Sequence, residues 1–336
     1  MLFSKRKIIF VLGFFFLLGI VALVVVSKQE TRVLETPLPT SKKPEFSKDS
    51  KTNLPITVEP QVKMETPESL PLITITLKDL SLESSETTAK NLGFASSAQE
   101  IKDALDGTKY TWFNDKNYLW ITPQKSQIRF GMTQLSEKQT LVSLSDSDME
   151  KIVMNFVKQG FGIASESISV SSISYLSRPH KGSEDYFSET SKEQAEIIHF
   201  NLTYNNIGYP VLTSIPRYQI LFVEILGNGE IYKAESFVVD KVTRTDEKYK
   251  LKTFDEIKIS LYGAHLVDLE NDYISLADVK PSDLSDIEVE KAEIGYYFDD
   301  INMITTLQPI FLLDASLKVR NSSANRAKLY IPAIQE

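Results

Sequence analysis

The sequence predicts an α+β protein held at a membrane by one N-terminal helix. Three observations lead to this prediction: an uncharged apolar run at residues 8–26, a proline-rich stretch at residues 27–71, and strand and short-helix patterns from Leu72 onward. The last region contains several hairpin signals and no regular strand–helix–strand repeat, which favours antiparallel sheet. We therefore expect a single transmembrane helix, a disordered Pro-rich tether, and an ectodomain of antiparallel β-hairpins with short helices.

The apolar run at residues 8–26 has the length of a membrane-spanning helix. At 1.5 Å of rise per residue it spans about 28 Å, close to the thickness of a bilayer's hydrocarbon core. Lys5, Arg6 and Lys7 precede the run, and positive charge is retained on the cytoplasmic side. We therefore place residues 1–7 in the cytoplasm and the remainder outside the cell membrane. The length of the run, and the lack of a small-x-small site behind it, favour an uncleaved anchor over a cleaved signal peptide.

Residues 27–71 have the composition of a linker. They contain seven prolines, with Ser, Thr, Lys and Glu between them and little apolar periodicity. Such a stretch cannot bury enough apolar surface to offset the entropy lost on ordering. Proline mixed with charge keeps a linker extended, so we expect a disordered extracytoplasmic linker that lifts the folded part away from the membrane.

Charge and cysteine content exclude several classes of function. The 336 residues include 37 Lys and Arg and 45 Asp and Glu, for a net charge of −8, and no cysteine. The acidic balance argues against nucleic-acid binding, which needs cationic surface, and against lying flat on anionic lipid. The absence of cysteine removes thiol catalysis, cysteine zinc sites and disulfide scaffolds. A cysteine-free external domain fits a bacterial surface better than an animal one.

The ectodomain is predicted as two α+β subdomains, residues 72–190 and 191–336. The first begins with a strand over residues 73–77, in which isoleucines alternate with threonines. Two short helices follow, one capped by Ser84 or Ser85 and a second opened by the capping-box pattern of Ser97 and Glu100. The elements that follow are three strands at residues 109–113, 118–122 and 127–132, a helix that begins at Ser145, and two strands at residues 168–175 and 195–204.

The remaining elements are mostly strands. Asn228-Gly229 between two apolar runs predicts a hairpin of strands at residues 218–226 and 230–240. Thr253 and Glu256 form a second capping-box pattern ahead of a short helix. Strands are expected again in the tail, at residues 287–297, 307–314 and 327–334.

The first predicted hairpin carries four aromatic residues, which are the candidate partner or ligand surface. Alternate residues of a strand share a face, so each strand can present its two rings together. The rings suit either core packing or a platform for sugar or peptide, and core packing is the simpler explanation because buried aromatics dominate core energetics. The four residues are Tyr110, Trp112, Tyr118 and Trp120.

No catalytic, cofactor or metal motif is present in the sequence. The three histidines, His180, His199 and His265, are widely separated and form no paired metal spacing. We interpret His199 as a half-buried strand residue. Asp299-Asp300 is a pair of adjacent acids in an expected loop, which we interpret as a solvated turn. We therefore predict no cofactor, no metal site and no catalytic residue.

Seven short stretches of strand and turn residues lie in the second half of the chain. They are Asn201-Leu-Thr-Tyr, Gly208-Tyr-Pro-Val, Asn228-Gly-Glu-Ile, Leu251-Lys-Thr-Phe-Asp-Glu-Ile, Gly295-Tyr-Tyr, Leu307-Gln-Pro-Ile-Phe and Tyr330-Ile-Pro-Ala. Together they resemble the YycH/YycI-like regulators, a family of bacterial extracytoplasmic proteins whose hairpin-and-helix units also occur in PepSY domains. The resemblance covers the order of elements from about Ser85 to the C-terminus.

The resemblance implies a single-pass protein that restrains a membrane histidine kinase by contact and without catalysis. Two features depart from it: the long proline-rich tether and the lack of a close-packing motif in the anchor. The main functional hypothesis is a membrane-anchored extracytoplasmic protein that binds and modulates an envelope protein, such as a sensor kinase. A cell-wall glycan or peptide binding module is the alternative, and an envelope hydrolase, with catalytic groups brought together only by folding, is the third hypothesis.

Overall fold

Two β-sheets, one of eight strands and one of nine, form most of the chain that the computed structural model describes. The predicted strand-and-short-helix composition is confirmed in its coarse form, because the described chain is mainly sheet with few helices. The structure describes residues 51–52, 54–104, 106–135, 140–177, 188–215, 218–270, 276–320 and 324–335.

The eight-stranded sheet contains the longest strands of the described chain. Its main path runs β1-β15-β16-β17-β14, with β10 beside β15 and with β2 between β16 and β13. β1 and β10 pair in parallel with β15, and the other pairs are antiparallel. The strands are β1 (Ile56–Val58), β2 (Ser69–Leu77), β10 (Val211–Leu212), β13 (Val239–Lys250), β14 (His265–Glu270), β15 (Leu284–Asp299), β16 (Ile304–Val319) and β17 (Ala324–Pro332).

The nine-stranded sheet is antiparallel throughout its described pairs and has the order β3-β4-β5-β6-β12-β11-β9-β7-β8. The strands are β3 (Gln99–Asp103), β4 (Gly107–Phe113), β5 (Asn117–Thr122), β6 (Gln127–Met132), β7 (Ile168–Ser177), β8 (Ser188–Glu189), β9 (Ile197–Tyr204), β11 (Leu221–Leu226) and β12 (Ile231–Phe237).

Three α-helices are described, α1 (Leu82–Asn91), α2 (Asp146–Phe156) and α3 (Phe254–Ser260). Each begins at a residue whose hydroxyl accepts a hydrogen bond from a backbone N–H of the first turn, namely Ser81, Ser145 and Thr253. Such caps satisfy donors that have no partner inside the helix.

The main core is one cluster of buried side chains to which both sheets contribute. Leu119 and Ile121 of β5 are fully buried, as are Met149 and Val153 of α2. The ring of Phe156, at the end of α2, lies 5.3 Å from that of Phe130 on β6. Burial of each such aliphatic side chain contributes about 1.5–3 kcal/mol, so the apolar stripe of α2 holds the helix on the sheet.

The chain passes repeatedly between the two sheets. It leaves β9 for β10 and returns to β11, and a single residue, Val238, separates β12 from β13. In each sheet, a strand that precedes residue 190 pairs with one that follows it. These pairs are β7 with β9 in the nine-stranded sheet and β2 with β13 in the eight-stranded sheet. All described residues belong to one unit, Lys42–Glu336.

Most of the predicted strands are confirmed. The hairpin of β4 and β5, the added strand β6, and the hairpin of β11 and β12 around Asn228-Gly229 all form where the sequence indicates. The capping box of Thr253 and Glu256 forms with both of its reciprocal hydrogen bonds. These elements carry strong local signals, which explains the agreement.

The second predicted short helix is wrong. Residues 99–103 form β3, which pairs with β4, and Ile101 is 48% exposed. Gly107 has φ of +78° and begins β4 directly after the turn. The first helix was predicted correctly but begins earlier, at a cap on Ser81 instead of Ser84 or Ser85.

Part of the predicted linker is folded. Ile56 and Val58 pair in β1 with Ile287 and Val289, which are buried, and β2 already begins at Ser69. The alternation of apolar residues over residues 56–58 is too short to stand out among prolines and charges.

Within the described residues, no helix has the length and hydrophobicity that crossing a membrane requires. The predicted transmembrane segment, residues 8–26, lies outside the described residues.

Candidate functional site

The four predicted aromatic residues lie on β4 and β5, but they divide between the two faces of the sheet. The register pairs Tyr110 with Ile121 and Trp112 with Leu119, so these four side chains share the core face. Trp112 is 1% exposed, Tyr110 is half-buried, and their rings meet edge to face with centroids 6.4 Å apart. This pair is part of the core.

Tyr118 and Trp120 lie on the opposite face, with ring centroids 4.9 Å apart. The ring of Tyr118 covers Gly131, where an added Cβ would lie 2.6 Å from ring atoms. The Nζ of Lys109 lies 5.6 Å from the centroid of the Trp120 ring. Burial raises the pKa of Tyr118. These rings are therefore partly covered by the protein itself, while Phe113, opposite Tyr118, is 49% exposed.

The adjacent acids at the end of β15 hold loops together. Asp299 accepts hydrogen bonds from the backbone N–H and side-chain amide of Asn302. Asp300 accepts from the backbone N–H and hydroxyl of Ser214. Asp299 is only 4% exposed, so the expectation of a solvated turn is wrong for this residue.

The structure describes two of the three histidines. His199 on β9 and His265 on β14 are both buried, and His180 lies outside the described residues. Only His199 borders a described cavity. Its burial is deeper than the half-buried position that its strand pattern predicts.

A groove lies between the two sheets, where β7, β8 and β9 border the same space as β14 to β17. It consists of a cavity of about 380 Å³ and an adjoining one of about 330 Å³. Both cavities are lined by Glu189, Glu270, Lys291, Asp314 and Lys328. These five shared residues define what we call the inter-sheet groove.

One wall of the inter-sheet groove is polar because of strand register. Ser174 on β7 lies opposite His199 on β9, which lies opposite Glu224 on β11. Ser172 lies opposite Asn201 on the same strands. Residues directly opposite each other in antiparallel strands have Cβ atoms about 4.5–5.5 Å apart. The sheet thus brings a hydroxyl, an imidazole and a carboxylate into one row.

His199 and Glu224 form a buried polar pair. Nδ1 of His199 lies 3.0 Å from Oε1 of Glu224, and the two residues are 1% and 4% exposed. An ionised Glu224 only accepts, so Nδ1 carries the proton of this hydrogen bond, and Nε2 is an acceptor when the ring is neutral. Nε2 is buried and has no hydrogen-bond partner among the described residues.

Aromatic stacking fixes the position of the His199 ring. Its centroid lies 5.4 Å from that of Phe222, with the planes inclined by 26°. Tyr218 stacks on Phe222 at 4.1 Å, and Nζ of Lys233 lies 4.5 Å from the centroid of the Tyr218 ring. The imidazole is therefore held rigidly at the wall of the groove.

The other wall carries ordered charges. Lys291, Asp314 and Lys328 lie side by side on β15, β16 and β17. Nζ of Lys328 donates to Oδ1 of Asp314 at 2.8 Å. Lys291 pairs with Glu293, and this hydrogen bond raises the pKa of Lys291. The lysine therefore stays charged at neutral pH.

Glu189 connects the two walls. It accepts a long hydrogen bond, 3.5 Å, from the hydroxyl of Ser174 on its own sheet. Its other oxygen lies 3.6 Å from Nη1 of Arg326 on the eight-stranded sheet. The side chain is thus shared between a hydroxyl and a guanidinium across the groove.

The groove offers fixed charges and a buried imidazole nitrogen that has no hydrogen-bond partner in the described chain, which suits the binding of a charged, hydrogen-bonding ligand. No group of three or more histidines and acids that could hold a metal ion is found in the described part of the chain.

Sequence reasoning missed the pair of His199 and Glu224, which are 25 positions apart along the chain. The available signal is a single polar residue inside each of two apolar runs, Ile198-His199-Phe200 and Val223-Glu224-Ile225. Only the register of β9 with β11 shows that the two meet.

No protein-family model, no curated protein and no solved structure significantly matches the chain. Any function assigned to the inter-sheet groove therefore rests on its chemistry and on the anchor pattern of the sequence.

Proposed function

We propose that this chain is a single-pass membrane protein whose extracytoplasmic body binds an envelope protein and modulates it without catalysing a reaction. The contact site in this proposal is the inter-sheet groove. One observation supports the groove as the contact site. Both sheets contribute charged side chains to two adjoining cavities of about 380 Å³ and 330 Å³, and each volume is within the size range of ligand pockets.

The hydrogen bonding of the groove supports binding over catalysis. A Ser–His–Glu row invites comparison with nucleophilic hydrolases, which need a hydrogen bond between nucleophile and base. Here the hydroxyl of Ser174 donates to Glu189, and that of Ser172 accepts from Asn201. Nε2 of His199 contacts neither hydroxyl, since it has no partner in the described structure.

The class of partner follows from the sequence. The predicted anchor at residues 8–26 places the body outside the membrane, and the YycH/YycI-like stretches favour a membrane sensor kinase. The net charge of −8 argues against a nucleic-acid partner. An envelope protein with a segment complementary to the groove fits these features.

Photo-crosslinking of the full chain in its native membrane tests the proposal. One variant carries a photo-reactive residue in place of Glu290, which lines the groove. The control carries it in place of Asp115, in the exposed turn between β4 and β5. We expect one protein to crosslink from position 290 and not from 115, and this adduct to disappear with Glu189→Lys.

Two results would contradict the groove as the contact site. Crosslinking only from position 115 moves the contact to the aromatic hairpin. Retention of cell-wall glycan by the full chain, lost in Trp120→Ala and kept in Glu189→Lys, favours the glycan-binding alternative instead.

A further inference from the structure

The inter-sheet groove carries an excess of negative charge. Among the described residues, its two cavities are lined by six carboxylate side chains and three cationic ones. Each cationic side chain already lies beside a carboxylate, in the pairs Lys291–Glu293, Lys328–Asp314 and Arg326–Glu189. The described lining thus has a negative net charge, and negative charge focused between two protein walls attracts a cation.

Two sheet edges border the groove. β8 pairs with β7 alone, and β14 pairs with β17 and has one bridge from His265 to Lys51, among the described strands. Glu189 of β8 and Glu270 of β14 both line the groove. An unpaired strand edge offers N–H and C=O groups to an added strand, so the shape of the site suits an extended polypeptide.

The buried imidazole supplies an observation independent of the acidic side chains. His199 is 1% exposed, lines the larger cavity, and has Nε2 without a partner in the described chain. Buried polar atoms are nearly always hydrogen-bonded. In the neutral ring that donates through Nδ1 to Glu224, Nε2 is an acceptor, so the group that satisfies it donates.

We propose that the inter-sheet groove binds an extended segment of the partner protein whose lysine or arginine side chain enters the larger cavity and donates to Nε2 of His199. Glu189 and Glu270 flank this cation from the two sheets. Ammonium and guanidinium groups are donors without acceptors, as the cavity requires. This inference rests on the proposed function and names the chemistry of the segment that the groove recognises.

Fluorescence anisotropy on the purified full chain in detergent micelles tests the inference. The probes are end-blocked, labelled decapeptides of alternating glycine and lysine, or glycine and glutamate, or glycine and glutamine. We expect saturable binding of the lysine peptide alone, weakened as salt is raised from 50 to 500 mM because screening reduces charge attraction. n-Butylammonium should compete only weakly, since it lacks a backbone for the sheet edges.

Charge-neutral variants locate the site. The double variant Glu189→Gln/Glu270→Gln should bind the lysine peptide about tenfold more weakly or worse. The matched control, Asp246→Asn/Glu247→Gln on the exposed side of β13, removes the same charge outside the groove and should bind within twofold of the parent. His199→Phe/Glu224→Leu removes the acceptor together with its partner and should weaken binding at least threefold while the chain stays folded by tryptophan fluorescence.

Several outcomes would overturn the inference. The first is equal affinity for the three labelled peptides. The second is a loss of affinity for the lysine peptide in the control double variant as large as that in Glu189→Gln/Glu270→Gln. The third is competition by n-butylammonium as effective as that by unlabelled lysine peptide. Loss of peptide binding with retained crosslinking from position 290 would end this inference and leave the proposed function standing. Loss of the crosslink with retained peptide binding would end the proposed function instead.

Discussion

The buried pair of His199 and Glu224 should be stabilising only as a pair. Glu224→Leu leaves the imidazole buried beside Phe222 without the acceptor at its Nδ1, and His199→Phe takes the Nδ1–H donor away from a buried carboxylate. The double variant replaces both with apolar side chains that fit between neighbouring strands. The three variants therefore form a double-mutant cycle around one contact of 3.0 Å.

The magnitude follows from the depth of burial. Both residues are at least 95% buried, and removing one partner of a buried ionisable pair costs about 3–5 kcal/mol. Apolar replacement of both is often neutral or stabilising. Each single variant should therefore lose about 3–5 kcal/mol in free energy of unfolding, equivalent to a fall of roughly 10 °C in Tm. The double variant should lie close to the parent.

Thermal and urea unfolding of the full chain in detergent micelles gives these free energies. Intrinsic fluorescence is a suitable signal because the chain has two tryptophans and Trp112 is fully buried. A loss below about 1 kcal/mol in Glu224→Leu would refute the reasoning, since an exposed or water-bridged pair would behave in that way. A double variant as unstable as the sum of the singles would refute it equally.

Three further predictions concern the core and the tyrosines. Trp112→Ala should lower the free energy of unfolding by about 3–5 kcal/mol in urea titrations, because its ring is fully buried. Gly131→Ala should cost about 1–3 kcal/mol, because the new Cβ would lie 2.6 Å from the ring of Tyr118. Gly263→Ala is the control, because no atom beyond its chain neighbours lies within 4 Å of the added Cβ, and its free energy of unfolding should equal that of the parent. Burial raises the pKa of Tyr204 to about 12, against about 10 in the unfolded chain. The stability that this raised pKa contributes to the folded state is complete below pH 10 and is lost as the pH rises towards 12. Tyr204→Phe should therefore reduce the fall in the free energy of unfolding between pH 10 and pH 12 by about 2–3 kcal/mol.

The elements that sequence predicts best are those with a complete local signal. The Asn228-Gly229 turn, the box of Thr253 and Glu256, and the apolar stripe of α2 each specify structure within a few residues. The sequence predicts a helix in place of β3 because Ser97 and Glu100 imitate a capping box. Its pairing with β4 decides otherwise, and tertiary pairing overrides a short local pattern.

The candidate site depends on contacts that no local pattern contains. The aromatic hairpin was visible in the sequence, yet the register of β4 with β5 sends Trp112 into the core and Trp120 to the other face. The groove joins residues from position 172 to position 328. The sequence predicts one strand over residues 230–240, whereas the structure has two, β12 to Phe237 and β13 from Val239 to Lys250. Lys241, Arg244 and Glu247 conceal the strand pattern of β13 beyond residue 240.

Labelling of single cysteines in intact cells tests the central claim most directly. The chain has no cysteine, so Glu290→Cys in the inter-sheet groove and Asp115→Cys in the distant turn each provide one reactive site. With a membrane-impermeant maleimide, we predict labelling of both in the purified protein, and in cells labelling of position 115 with protection of position 290. Equal labelling of both in cells would mean an unoccupied groove, and labelling of neither would place the body on the wrong side of the membrane.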